Sequence, residues 1–285
     1  MGINMAEFCF KSGSIELGAK TYIMGILNVT PDSFSDGGRY NEPSAAVAHA
    51  LEMAGEGADI IDIGAQSTRP GHVPITAEQE WQRLRPVLES LRNYTELPLS
   101  IDTYHTEVAA MALETGASII NDVSGSMENG MPELAAKTGA GLIMMHSGGG
   151  SDDGGQGSDA IKTVDTYFER ALKKAAEADL PIEQICLDPG IGFGKDRQGD
   201  LALIARLPEL IKRLPKTAVL VGASRKRVIS SCCENSPPAS DRLPGTIAIH
   251  TIAVLNGAHI LRVHDVAASV QAARVADEIL KHIND

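Results

Sequence analysis

Polar residues recur directly after short apolar runs, and those junctions hold most of the reactive chemistry in the sequence. Asn28, Asp62, Asp102, Asn121, Met145-His146, Asp188, Ser224-Arg225-Lys226, Arg262 and His264 all stand at or beside such junctions. For one residue the plain explanation is that strand ends abut polar loops. For the whole set it is weaker, because several carboxylates brought together without a ligand would be destabilising. Asp102 and Asp188 suit an acid–base pair, or acceptors for an amidine-like edge, since a carboxylate taking two parallel N–H bonds is a strong recognition unit. Asn121 offers both a donor and an acceptor. Together the three suit a flat heterocycle with alternating donors and acceptors, such as a pterin.

The cations are placed to complement this. Ser224-Arg225-Lys226 opens an expected helix at 226–230, and a helix start with a serine and nearby cations is either an anion site or an ordinary serine cap. Arg262 and His264 fall on one side of a strand, where an arginine can stack on a planar ring and a histidine can meet phosphate. Gly64–Gly71 carries Arg69, which reads as a surface arginine or as a mobile cation able to reach a diphosphate. Asp188–Lys195 is a glycine-rich turn without the Walker spacing or the dinucleotide fingerprint. It reads as a pocket wall with Phe193 packed inside. The stretch 24–38 begins as an apolar run and breaks into a long polar loop around Phe34. Ordering such a loop is costly without a ligand. Asn28 is therefore expected to hold a metal or phosphate and to be ordered in every state, with 30–37 as a lid ordered only over ligand. His49, His72, His105, His250 and His282 read as structural. The sequence contains no H-E-x-x-H or H-x-x-x-H spacing and no G-x-S-x-G, which argues against a zinc site and a serine hydrolase.

The elements that must position these residues alternate along the chain. After a short hairpin over 8–19, turning at Ser12-Gly13, apolar runs of strand length occur at 22–27, 60–63, 97–101, 118–120, 141–145, 184–187, 218–221 and 259–263. Helical patterns fill the intervals at 44–56, 77–92, 107–115, 132–138, 161–178, 201–213, 243–256 and 266–283. Gly57, Gly116, Gly139 and Gly257 stand where helices want a left-handed C′ residue, and Pro132 suits a first helical position. Strand–helix units repeating through 285 residues, with no composition break, predict a single (β/α)8 TIM barrel domain over 1–285 rather than a doubly wound open sheet. The Gly/Ser/Asp-rich patch 147–158 reads as a flexible loop and not a boundary.

Composition narrows the partners. The net charge of −12 argues against nucleic acid, no run is long enough for a membrane span, and the N-terminus lacks a secretory pattern. The four cysteines, Cys9, Cys186, Cys232 and Cys233, form no C-x-x-C pair. They read as free thiols in a reducing cytoplasm, with Cys186 buried.

Taken together, Met24–Gly38, Asp62-Ile63-Gly64 with Ser67–Gly71, Ile101-Asp102-Thr103, Ile120-Asn121-Asp122, Asp188–Lys195, Gly222 with Ser224-Arg225-Lys226, and Arg262-Val263-His264-Asp265 resemble the dihydropteroate synthase family. The similarity runs from about Tyr22 to the last helix. The resemblance implies a (β/α)8 barrel, usually a homodimer, that joins 6-hydroxymethyl-7,8-dihydropterin diphosphate to p-aminobenzoate in folate biosynthesis. It implies that Asp102, Asn121 and Asp188 bind the pterin edge, that Lys226 reaches the ring and that Arg262 stacks on it. Val123, Met145 and Phe193 would line the pterin pocket, and Asn28 would ligate Mg²⁺ on the diphosphate. Thr68, Arg69 and His264 would hold diphosphate oxygens, while Ser224 would receive the aminobenzoate carboxylate in a pocket walled by Phe34 and Pro70. Two departures stand out: Ala65-Gln66 where the family often has Gly-Glu, and the loop that follows Met145-His146. The alternatives are a pterin-binding methyltransferase working with a corrinoid partner, and a non-catalytic pterin-binding paralogue.

Overall fold

The computed structural model describes residues 6–30, 42–66, 74–148 and 159–283. A two-stranded antiparallel hairpin, β1 (Glu7–Phe10) and β2 (Gly13–Glu16), leads into β3 (Tyr22–Asn28), β4 (Ile60–Gly64), β5 (Leu99–Asp102), β6 (Ile119–Asp122), β7 (Gly141–Met145), β8 (Ile185–Asp188), β9 (Ala218–Val221) and β10 (Ile260–Val263). These eight strands are parallel and close into a barrel in the order β10-β3-β4-β5-β6-β7-β8-β9. The helices between and around them are α1 (Glu42–Glu56), α2 (Ala77–Leu91), α3 (Thr106–Thr115), α4 (Met131–Thr138), α5 (Ala160–Glu177), α6 (Arg197–Ala205), α7 (Leu207–Ile211), α8 (Arg227–Ser231), α9 (Leu243–Leu255) and α10 (Val266–Ile283). The expected TIM barrel with its N-terminal hairpin is the fold observed.

Strand periodicity sorts the side chains into two cores. Residues such as Ile23, Leu27, Ile61, Ile63, Leu142, Val219 and Leu261 face outward and pack with the helices. Their neighbours Met24, Ile60, Ile119, Ile143, Cys186, Leu220 and Ile260 face inward, where they meet Phe8, Phe10 and Ile15 of the hairpin. The hairpin thus closes the N-terminal end of the barrel. Gly141 makes its docking possible, since a Cβ there would lie 2.8 Å from Phe8 Cζ.

Three local expectations are corrected. The hairpin turns at Lys11-Ser12, because Gly13 already pairs with Phe10. The helix expected over 201–213 is two helices that break at Arg206, with Pro208 in the first turn of the second, where its missing N–H costs nothing. The helix after Ser224 starts at Arg227 with Lys226 in the cap position, so Ser224 lies ahead of it and does not cap it. All four cysteines are free, and Cys186 is buried as expected.

Candidate active site

Moving two residues up four of the strands from the inner apolar layer changes their chemistry: Ile60 gives way to Asp62, Ile119 to Asn121, Cys186 to Asp188 and Ile260 to Arg262. Parallel register then brings neighbouring polar positions together. Asp102 pairs with Asn121 and with Gly64, and Asp188 pairs with Met145. A side chain at Gly64 would press on Asp102, its Cβ lying 3.3 Å from the Asp102 Cβ.

At the centre is Asp62, which is fully buried. One carboxylate oxygen accepts from Ser100 Oγ at 2.6 Å. The other accepts from Asn121 Nδ2 at 3.0 Å and from Arg262 Nε at 2.6 Å. The same guanidinium reaches across the barrel, donating from Nη2 to Asp102 Oδ2 at 2.5 Å. An unpaired buried carboxylate would be costly, so Asp62 requires this cation and the cation requires both carboxylates. The electrostatics follow. Burial works against charge on Arg262, but Asp62 and Asp102 more than offset it and hold its pKa above the ordinary value. Burial pushes Asp102 up to about 7 even with Arg262 beside it.

Asp188 sits opposite, at the head of the glycine-rich turn. Its Oδ1 accepts from Gly190 N–H at 2.7 Å, and burial raises its pKa against the pull of Lys226. Gly190 adopts a left-handed φ of 67°, and a Cβ there would fall 1.9 Å from the His146 carbonyl oxygen. Lys195 Nζ pins this turn by donating to the carbonyls of His146, Gly190 and Phe193 at 3.2, 2.9 and 2.8 Å. Lys226 Nζ donates to Ile191 O at 2.6 Å and lies 4.4 Å from the centre of the Phe193 ring. Burial lowers its pKa to about 8, with Asp188 opposing and Arg262 reinforcing the shift.

Ser224 and His264 meet on the adjacent side. Ser224 Oγ accepts from His264 N–H at 3.1 Å and lies 3.0 Å from His264 Nδ1. Val123 is half-buried just past β6 and Met145 is buried at the end of β7. Asn28 ends β3 exposed at the same rim. Behind Asp102, Glu80 of α2 is buried and holds His105 Nδ1 at 3.0 Å; burial raises its pKa to about 7. Asp102, Asn121, Asp188, Lys226, Arg262, Ser224, His264, Met145, Val123, Phe193 and Asn28 therefore share one end of the barrel. Phe34, Thr68, Arg69 and Pro70, and all but Thr30 of the lid expected over 30–37, lie outside the described residues.

Reading the junctions one at a time underrates Asp62, which is the hub, and misses Ser100 and Lys195. The signal for Asp62 was present: a carboxylate flanked by Ile60, Ile61 and Ile63 on a strand buried on both faces must find a buried cation. Nothing local marked Ser100, whose partner Asp62 is 38 residues away, while Lys195 ends the glycine-rich turn and bonds Gly190 and Phe193 within it as well as the distant His146.

A family model described as pterin binding enzyme matches residues 24–264. The chain is 42% identical to the dihydropteroate synthase of Escherichia coli K12 over 263 residues, covering 91% of this chain and 92% of that one. It is 40% identical over 278 residues to a mitochondrial folate synthesis bifunctional protein of Arabidopsis thaliana; the match covers 92% of this chain and spans about half of the plant protein's length. The structure of Xanthomonas albilineans dihydropteroate synthase with 4-aminobenzoic acid superposes with a TM-score of 0.88 at 38% identity, covering 96% of this chain and 98% of that one. The same enzyme in complex with 7,8-dihydropteroate gives 0.83 at 37% identity, covering 93% and 95%. With its barrel, its charged mouth and these matches along nearly its whole described length, the chain belongs to the dihydropteroate synthase family of pterin-binding enzymes.

Proposed function

We infer that the C-terminal mouth of the barrel condenses 6-hydroxymethyl-7,8-dihydropterin diphosphate with p-aminobenzoate, giving 7,8-dihydropteroate and diphosphate for folate biosynthesis. The observation that carries this reading is the ring of fixed polar groups around Arg262: Asp62 and Asp102 on one side, Asp188 and Lys226 on the other, with Asn121 beside them. Asp102, Asn121 and Asp188 would read the donor and acceptor edge of the pterin. Arg262 bonds through its in-plane N–H groups, which leaves the flat faces of the guanidinium for stacking on the ring. Lys226, held over Phe193, would reach the ring from the glycine-rich side. Val123, Met145 and Phe193 would close the apolar walls. The complexes of the Xanthomonas relative with 4-aminobenzoic acid and with 7,8-dihydropteroate favour the same two-substrate site here.

The chemistry follows from charge. As the carbon–oxygen bond to diphosphate lengthens, positive charge spreads from the methylene carbon into the pterin ring, and Asp102 and Asp188 stabilise it there. The aromatic amine is neutral at pH 7 and attacks that carbon, by a dissociative route or by direct displacement; its proton is then lost to solvent. Ser224 would receive the aminobenzoate carboxylate, and His264, with Thr68 and Arg69, would hold diphosphate oxygens. Phe34 and Pro70 would wall the aminobenzoate site.

Mg²⁺ fits one position. Asn28 presents an exposed carboxamide oxygen at the rim with no hydrogen-bond partner among the described residues. Magnesium commonly takes only one or two protein oxygens and completes its shell from phosphates and water. No cluster of three or more His, Cys, Asp or Glu residues able to hold a metal occurs among the described residues, which agrees with a metal that arrives with the substrate. Bound there, it would neutralise the leaving diphosphate.

We further propose a homodimer and a reducing cytoplasm, with 1–285 acting as one domain. Ile252 and Leu255 on α9 and Val275, Ile279 and Ile283 on α10 give the two packed helices an exposed apolar face suited to a second copy. The free thiols suit a reducing compartment, and no helix among the described residues is long and apolar enough to cross a membrane. A diphosphate-release assay tests the function: release that needs both p-aminobenzoate and Mg²⁺ supports it. Pterin diphosphate binding without release would identify a non-catalytic paralogue, and methyl transfer to a corrinoid protein would identify a methyltransferase.

A further inference from the structure

Between β9 and α8, residues 222–226 carry Ser224 and Lys226 to the mouth, and α9 holds this segment by its backbone. Ala223 N–H donates to His250 Nε2 at 3.1 Å, and Arg225 N–H donates to Thr246 Oγ1 at 3.0 Å. Arg242, at the cap position of α9, donates to the Arg225 carbonyl at 2.9 Å. The Arg225 guanidinium is gripped by Asp265, from Nε at 3.0 Å and from Nη2 at 2.5 Å. Arg225 sits between these contacts at φ 57°, a left-handed conformation that a residue with a Cβ adopts only under constraint. That reversal separates the directions of Ser224 and Lys226, sending one to His264 and the other to Ile191.

Arg242, Thr246 and His250 recur every four residues and so lie on one face of the helix start. Gly245 lets that face come close, since a Cβ there would meet Ile229 Cγ2 of α8 at 2.2 Å. Thr246 and His250 are buried. Burial lowers the His250 pKa to about 3, so its ring is neutral and Nε2 is free to accept. The proton is then on Nδ1, which has no partner among the described residues. A buried donor is left unsatisfied while Nε2 serves the loop, an arrangement that core packing alone does not call for.

We propose that Thr246 and His250 are positioning residues for the acceptor substrate: they hold the left-handed Arg225 backbone that aims Ser224 at the aminobenzoate carboxylate. The proposal rests on the function inferred above and extends it to residues that touch neither substrate. Steady-state kinetics on the full chain, with the unfolding temperature recorded for each variant, tests it. Thr246→Val removes the acceptor at nearly constant volume, and losing one buried hydrogen bond should raise KM for p-aminobenzoate about tenfold. KM for the pterin diphosphate should rise much less, because Lys226 keeps its own bond to Ile191 O, and Thr246→Ser should restore the parent KM. His250→Gln, which keeps an acceptor near the Nε2 position, should outperform His250→Leu in the same parameter and covers the case in which Thr246→Val fails to fold. Equal, parent-like KM values in Thr246→Val and Thr246→Ser would overturn the proposal. So would losses that follow unfolding temperature alone or fall equally on both substrates. A parent protein that releases no diphosphate would instead overturn the inferred function, and this proposal with it.

Discussion

The two ends of the barrel use the same strands and teach opposite lessons. At the N-terminal end, Ile60, Ile119, Cys186 and Ile260 meet the hairpin aromatics Phe8 and Phe10 in an apolar plug. Two residues further along, the same four strands carry Asp62, Asn121, Asp188 and Arg262. The plug gains from removing apolar area from water and tolerates any occupant of suitable volume. The mouth gains little net stability from its buried charges, because desolvation offsets most of their attraction. What the mouth acquires is fixed geometry, in which each charged group holds the next. Damage to the plug should therefore cost stability, and damage to the mouth should cost function.

The strongest challenge to this division is Arg262→Ala, which leaves Asp62 buried beside an unbalanced mouth. It should abolish turnover and also lower unfolding free energy by about 3–5 kcal/mol, as expected when one partner of a buried pair is lost; diphosphate release and denaturant titration check both. Next come Asp188→Ala and Lys226→Ala. Each should cut kcat about a thousandfold, as lost preorganised electrostatic groups do, while circular dichroism reports a folded barrel. Near-parent turnover in either would erase the distinction between the two ends. Phe8→Ala probes the other end and should cost about 3–5 kcal/mol of stability, yet the remaining folded enzyme should turn over at the parent rate.

The smallest effect concerns Glu80, behind Asp102. Its carboxyl is raised by burial from 4.5 to about 7, so the folded state holds a proton that the unfolded chain has released. The stability from that proton is complete below about pH 4.5 and fades as pH rises towards 7. Glu80→Gln should flatten this part of the stability-against-pH curve and leave the protein more stable than the parent at pH 8. Parallel curves for parent and variant would show that Glu80 is ionised throughout.

Much of the barrel was legible because each strand run carried two alternating sets of apolar residues, and Gly57, Gly116, Gly139 and Gly257 closed their helices. The mouth was legible as a set of junctions but not as a network. That Asp62 is the hub depends on Arg262, 200 residues later, arriving beside β3 through closure of the barrel. Pro208 carried a signal for the break between α6 and α7 that the single helix expected over 201–213 overlooked. The role of the hairpin was not legible, since the alternation Phe8–Phe10 and Ile15–Leu17 fits any hairpin with one covered face. The role of α9 was hidden for another reason: His250 and Thr246 look like ordinary core residues until their partners are found to be backbone N–H groups of the Ser224–Lys226 segment.

The hairpin beneath the barrel also sets the traffic. With Phe8 and Phe10 packed across the far end, that end of the barrel is closed among the described residues, and the mouth is the end left for the proposed substrates. On the function proposed above, a pterin seated against the buried Asn121 and Asp188 would lie beneath whatever occupies the rim near His264. On that reading the pterin substrate would arrive before p-aminobenzoate, and diphosphate would leave before the joined product.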